Sequence, residues 1–296
     1  MRTENLHLIK NFAMHLDSTG QSDSTQQSYS RDARLFLQYL EQHELRINQV
    51  EPQTLLEYGR ELEYDKKSKP NSIRRKIIGV RRFFRFLAEN KEINCNPLED
   101  TLIPERVEYR VKDEFFSEIL KHLSITTGKD LKKCRDLAIL SLIGLEGVKV
   151  SEVIGLQKSD YIYNKAAGSL QINSPKTRTI QLHEITNRHL TKYIEKQRNH
   201  PQSQSIKSAL FIGFKGKDSS LCLESVTRHG IKHMVYQVGK DIGYANLNTE
   251  QLRHLSIDFQ LAEAKSPEEI MTHLGLRRLG NIAKHIRGKD HRKSCK

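Results

Sequence analysis

Gly144-Leu145-Glu146-Gly147-Val148-Lys149-Val150-Ser151-Glu152-Val153-Ile154-Gly155-Leu156 lies between two segments of opposite character. Before it, Leu137 to Leu145 is almost entirely apolar, which predicts a helix over Arg135 to Leu145 buried on every side. After it, Tyr161-Ile162-Tyr163, Leu170-Gln171-Ile172 and Thr179-Ile180-Gln181-Leu182 are short alternating runs split by Gly168 and by Ser174-Pro175, the pattern of a small antiparallel sheet. Helical periodicity covers Asp113 to His122 and returns from Thr186 to Arg198, from Leu223 to Gly239 and in several pieces after Thr249. Gly213-Phe214-Lys215-Gly216-Lys217 lacks the Walker spacing that cradles a nucleotide and reads as a surface turn.

Toward the amino terminus the chain is helical. Tyr29, Ala33, Phe36, Leu37 and Leu40 form one stripe within residues 24–45, and Pro52 to Tyr64 opens on a first-turn proline. A third helix runs from Ser72 through Leu87, with Ile73, Ile77, Val80, Phe84 and Leu87 facing inward. Its other positions carry Arg74, Arg75, Lys76, Arg81, Arg82 and Arg85, without the alternating carboxylates of a self-paired solvated face. Such a helix suits phosphates, although an unliganded basic surface gives the same pattern. Cys95 to Pro104, with two prolines, reads as an extended connection. The expected organisation is a helical domain over 1–104, a linker over 105–112 and a mixed domain over 113–296, mainly α overall.

Charge points the same way. Lys plus Arg number 49 against 36 Asp plus Glu, a net +13, which implies an acidic partner such as nucleic acid. The last twenty residues alone hold eight Lys or Arg against one Asp. Four scattered cysteines offer neither a CxxC pair nor a compact disulfide framework, as expected of a reducing cytoplasm. No apolar run approaches the ~18 residues of a membrane span, and no secretory leader opens the chain, so a soluble, nucleoid-associated protein is expected.

The stretch 144–156 resembles the tyrosine recombinase (phage integrase, Xer-like) segment written TGLRxSELxGL. Glu250-Gln251-Leu252-Arg253-His254 resembles that family's HxLRH box and His273-Leu274-Gly275-Leu276 its LLGH box, at the family spacing. Ser24-Thr25-Gln26-Gln27-Ser28-Tyr29 with Asp32, Phe36 and Leu40 resembles the core-binding domain, and Asn96-Pro97 its usual linker entry. The resemblance implies a helical core-binding domain and a catalytic-type domain that together clamp duplex DNA.

It also implies a reaction, phosphoryl transfer to a tyrosine, against which each position can be compared. Two arginines hold the phosphate oxygens bidentately; the second stands as Arg253, while Lys149 replaces the first and loses the planar fork. Lys176 stands in the turn where the family keeps a general-acid lysine. Glu250 replaces the first histidine of HxLRH and would repel a phosphate, and Leu276 replaces a hydrogen-bonding histidine. Nine residues beyond Leu276, where the family has its nucleophile, stands His285, and no tyrosine follows Tyr244.

These replacements imply a DNA-binding relative that does not cut, accessory to recombination or integration of a mobile element. Its partners would be double-stranded DNA and an active recombinase, or a second copy docked through the basic tail, with Arg277 and Arg278 joining the DNA contacts. An active recombinase with a rewired site and a general chromosomal DNA-binding protein remain alternatives. Arg253 paired with Glu250 as a buried ion pair is a further alternative to phosphate contact. His229 and His233 sit four apart on a predicted helix but lack a third ligand, so no metal or other cofactor is expected.

Overall fold

The computed structural model describes residues 2–107, 113–163, 167–174, 176–202, 208–215, 220–276, 279–280, 282–283 and 285. The chain divides into two compact units, Met1–Glu108 and Tyr109–Lys296.

The first unit is built of α1 (Thr3–Ser18), α2 (Asp23–Gln42), α3 (Pro52–Tyr64) and α4 (Pro70–Glu89). Prolines at the first turns of α3 and α4 give up no helical hydrogen bond, and the Ser22 hydroxyl accepts the Thr25 amide to cap α2. Aromatic rings fill the core edge to face, Phe36 on Tyr58 with centroids 5.1 Å apart and Phe12 on Phe83 at 5.2 Å. Helix α1 is absent from the sequence expectation, yet Ile9, Phe12 and Leu16 supply a buried stripe at helical spacing. The segment expected as a plain extended connection is instead tied to α4. Arg85 pairs with Glu99 at 2.6 Å, and the Asn71 side chain both donates to and accepts from the Val107 backbone, at 2.7 and 2.9 Å.

The second unit begins with α5 (Asp113–Ile125), α6 (Leu131–Gly144) and α7 (Val150–Gly155). Helix α6 is buried along its length, as its composition predicts. Strands β1 (Tyr161–Ile162), β2 (Ser169–Ser174) and β3 (Lys176–Gln181) form an antiparallel sheet in that order. Then come α8 (Glu184–Arg198), β4 (Ile212–Lys215), β5 (Ser220–Ser225), α9 (Arg228–Asp241), α10 (Thr249–Ala262) and α11 (Pro267–Leu274). Among the described residues no helix is long and apolar enough to cross a membrane.

Two expectations fail in one place. Residues 213–215 are strand rather than turn, and the helix expected from Leu223 starts only at Arg228 because Ser220–Ser225 pairs antiparallel with β4. The cause is tertiary. Arg135 of buried α6 donates to the Ile212 carbonyl at 2.8 Å and lies 4.6 Å from the Phe214 ring, while the Tyr193 hydroxyl of α8 accepts the Ile212 amide at 3.2 Å. Partners 19 to 77 residues away are invisible to a local pattern.

A buried carboxylate lies beneath α4. Asp32 is fully buried and accepts from both terminal nitrogens of Arg75, which also donates to Ser28. Burial pushes Asp32 above the ordinary carboxylate range despite the opposing pull of Arg75. Arg75→Ala should therefore cost about 2–3 kcal/mol, less than a sequestered pair because Arg75 is 43% exposed. A carboxyl raised on folding contributes stability below its unfolded value and loses it as pH rises through the folded one. The Arg75→Ala deficit in urea unfolding should accordingly widen with rising pH, and a pH-independent deficit would contradict this account.

Candidate functional site

Helix α6 ends at Gly144, and the turn that follows carries the site. Gly147 has φ +67°, and a Cβ there would lie 2.1 Å from Leu274 Cδ2 and 2.4 Å from Ser256 Oγ, so only glycine lets α10 and α11 close on the turn. Lys149 then caps α7, its backbone amide donating to Glu152 Oε2 at 2.9 Å.

The Glu152 carboxylate, fully buried, collects the surrounding cations. Arg178 of β3 donates Nη1 to Oε1 and Nη2 to Oε2, both at 3.0 Å, and its Nε donates to the His273 carbonyl at the end of α11, also at 3.0 Å. Lys149 Nζ lies 3.5 Å from Oε1. Burial alone would raise Glu152, but the Arg178 hydrogen bonds, the Lys149 amide and both positive charges together hold it below the ordinary carboxylate range. Sequence reasoning missed Arg178. Its signal was present, since Arg178 shares the inward face of β3 with buried Ile180, where a cation needs a carboxylate.

Arg253, near the start of α10, donates Nε to the Gly147 carbonyl at 2.8 Å. Its Nη2 is buried and has no hydrogen-bond partner among the described residues. Burial lowers the Arg253 pKa, with Glu152 and Glu250 opposing and Arg178 assisting. Glu250 itself is exposed. A buried guanidinium nitrogen left unsatisfied is costly, and an anion is the natural partner for one.

The other positions that the resemblance singles out lie further along. Lys176 opens β3, its side chain outside the described residues. Leu276 packs on the apolar cluster of Ile257, Ile270, Leu274 and Ile282. His285 is 9% exposed, its Nδ1 lies 3.0 Å from Asp258 Oδ1, and its ring stacks on His254 with centroids 5.5 Å apart. Tyr244, the last tyrosine, is half-buried; its ring lies 4.1 Å from Phe115 and its hydroxyl accepts from Gln251 at 3.2 Å.

The six cations of α4 do not behave alike. Arg75 is committed to Asp32, Arg81 to the Glu99 backbone carbonyl and Arg85 to the Glu99 carboxylate. Lys76 is half-buried on the flank of the core, 3.5 Å from Ser68 Oγ, and burial lowers its pKa. Arg74 keeps a buried Nη1 without a hydrogen-bond partner, and Arg82 has none among the described residues. In the second unit α9 presents Arg228, His229, Lys232, His233, Tyr236 and Lys240 to solvent, with Lys240 Nζ 4.8 Å from the centre of the Tyr236 ring. Among the described residues no group of three or more His, Cys, Asp or Glu side chains could hold a metal ion. Arg277 and Arg278 lie outside the described residues.

Comparison with known proteins connects these features. Residues 9–91 match the family described as phage integrase, N-terminal SAM-like domain. The chain is 31% identical over 196 residues to "Putative tyrosine recombinase TTE1313" of Caldanaerobacter subterraneus subsp. tengcongensis, a match spanning 66% of each chain. It is 25% identical over 277 residues to tyrosine recombinase XerC of Staphylococcus aureus, 92% of this chain and 89% of that one. The fold is similar to that of XerH site-specific recombinase bound to palindromic difH substrate, with a TM-score of 0.70, 13% identity and coverage of 99% and 88%. It is also similar to a lambda integrase dimer bound to a COC′ core site, with a TM-score of 0.65, 13% identity and coverage of 94% and 75%.

The turn that positions Arg253 is testable by stability. Gly147→Ala adds a side chain to a left-handed backbone and into contact with two helices, which should cost about 3 kcal/mol or more in chemical unfolding of the full chain. A loss under about 0.5 kcal/mol, the usual range of a surface change, would show that the turn does not need glycine.

Proposed function

The chain belongs to the tyrosine recombinase family, whose work is DNA recombination, and on that premise we propose that it binds duplex DNA at a recombination-type site without cutting it. One observation carries the non-cutting half of the reading. His285 stands where the resemblance places the nucleophile, and the last tyrosine, Tyr244, is packed on Phe115 and hydrogen-bonded through its hydroxyl. Without a phenol at that position the family's phosphotyrosyl intermediate has no nucleophile.

The remaining replacements weaken the same step. Lys149 brings a point charge where a planar fork is needed, Leu276 donates nothing, and exposed Glu250 puts negative charge beside Arg253. Groups that act on one transition state lose their effects together rather than additively. The binding half rests on what is retained: Arg253 with a buried donor to spare, Arg74 and Arg82, and the cationic, aromatic face of α9. Cations in such arrays bind phosphates and fix register, while Tyr236 and the α9 histidines reach toward base edges or sugars.

In this reading the protein is an accessory or regulator of recombination of a mobile element. It works beside an active recombinase or a second copy of itself, and the basic segment 277–296 is its means of association. A second reading has one observation in its favour. Asp258 Oδ1 lies 3.0 Å from His285 Nδ1, and in the tautomer that donates Nδ1–H to this carboxylate Nε2 keeps its lone pair, the arrangement of an oriented nucleophile.

Binding should fall steeply with salt. Arg74→Ala and Arg82→Ala should each reduce the slope of log affinity against log salt by about one, whereas Arg75→Ala, whose guanidinium serves Asp32, should leave it unchanged. Arg253→Ala should cost about 1–3 kcal/mol of binding. Equal slopes for all four variants and the wild type, from fluorescence anisotropy on a duplex, would remove the docking role. His285→Tyr alone should yield no protein–DNA adduct, because Lys149, Glu250 and Leu276 still leave the phosphate under-bonded.

A further inference from the structure

We propose that Arg178 is the positioning residue of the anion pocket, acting as the internal counter-ion that leaves Lys149 only loosely held by Glu152 and keeps Arg253 from being drawn to it. The inference rests on the reading of Arg253 as a phosphate contact and extends it to a residue that touches no phosphate. All three guanidinium nitrogens of Arg178 are engaged, two on the Glu152 carboxylate at 3.0 Å and one on the His273 carbonyl at 3.0 Å. Arg178 is 13% exposed in its side chain, and a Cβ on Gly275 would sit 3.0 Å from its Cζ, so the guanidinium is clamped beneath the end of α11. Each of its nitrogens already donates to the protein, so the group is held inward rather than offered to a ligand.

Its effect is on the charges beside it. Glu152 is fully buried, 3.5 Å from Lys149 Nζ, and is the foremost negative charge acting on Arg253. Exposed Glu250 acts on Arg253 as well. With Arg178 present, Lys149, Arg178 and Arg253 outnumber the two carboxylates. Without it the cations only equal them, and a carboxylate stripped of its bidentate partner tightens on the nearest mobile cation, the long flexible Lys149, whose ammonium already lies 3.5 Å away. A pocket that is neutral and internally paired has little left for a phosphate.

Affinity for a mixed-sequence duplex, measured by anisotropy across a salt series on the full chain, tests this, with a melting curve for every variant. Arg178→Ala should weaken binding roughly tenfold and lower the salt slope by about one, although the residue makes no phosphate contact. Glu152→Gln in the Arg178→Ala background should restore most of both, since the offending charge is gone. Neutralising an unpaired buried carboxylate would also relieve a loss of stability, so affinity and salt slope are compared at a temperature where the melting curves show every variant fully folded, and only a counter-ion role predicts their loss and recovery there. If Arg178→Ala does not fold, Glu152→Gln alone decides, and should bind at least as tightly as the wild type. Wild-type binding by folded Arg178→Ala, failure of the double variant to recover while folded, or weakened binding by folded Glu152→Gln would each overturn the proposal. Arg253→Ala separates the two levels: no loss there means the pocket holds no phosphate, whereas loss there with none in Arg178→Ala sinks only the counter-ion role.

Discussion

The second unit is organised around one buried negative charge. Burying Glu152 without compensation would cost several kcal/mol, and three groups from two segments meet that demand: the Lys149 amide, the Lys149 ammonium and the Arg178 guanidinium. Because Arg178 belongs to β3 and also holds the His273 carbonyl, satisfying Glu152 fixes α7, the sheet and the end of α11 together. Gly147 completes the arrangement. Its left-handed turn brings its carbonyl to Arg253 Nε and leaves room for Leu274 and Ser256, so the backbone fixes one edge of the Arg253 guanidinium.

Much of this was legible in the sequence because it depends on local pattern. The apolar run Leu137 to Leu145 reads as the buried helix it is, and the split runs at 161, 170 and 179 fall within β1, β2 and β3. What escaped depends on partners distant in sequence. The β4–β5 hairpin is secured by Arg135 and Tyr193, and the role of Arg178 exists only once Glu152 and His273 have been brought to it. The cations of α4 looked equivalent as a string, yet Asp32, Glu99 and Ser68 divide them between internal and outward duties. Helix α1 is a different failure, since its Ile9, Phe12, Leu16 stripe was in plain view.

In the proposed reading, fold and chemistry have separated in this chain. Two packed apolar cores, a buried α6 and a site held together by charge are present. The family's reaction needs a nucleophile, a full set of phosphate donors and no competing carboxylate, and at those positions stand His285, Lys149, Leu276 and Glu250. Selection for binding alone preserves the first set and is indifferent to the second, because packing and phosphate contacts stabilise a complex that no bond-making step has to follow.

The claim at the centre of this account is that the DNA-binding frame works without a covalent step. Incubation of the wild-type chain with a nicked suicide duplex, which traps any protein–DNA linkage, followed by denaturing electrophoresis and mass spectrometry, addresses it directly. The account predicts a saltable, fully reversible complex and no adduct. A covalent adduct mapped to His285, Tyr236 or Tyr244 would contradict it and establish the chain as an enzyme with a rewired site.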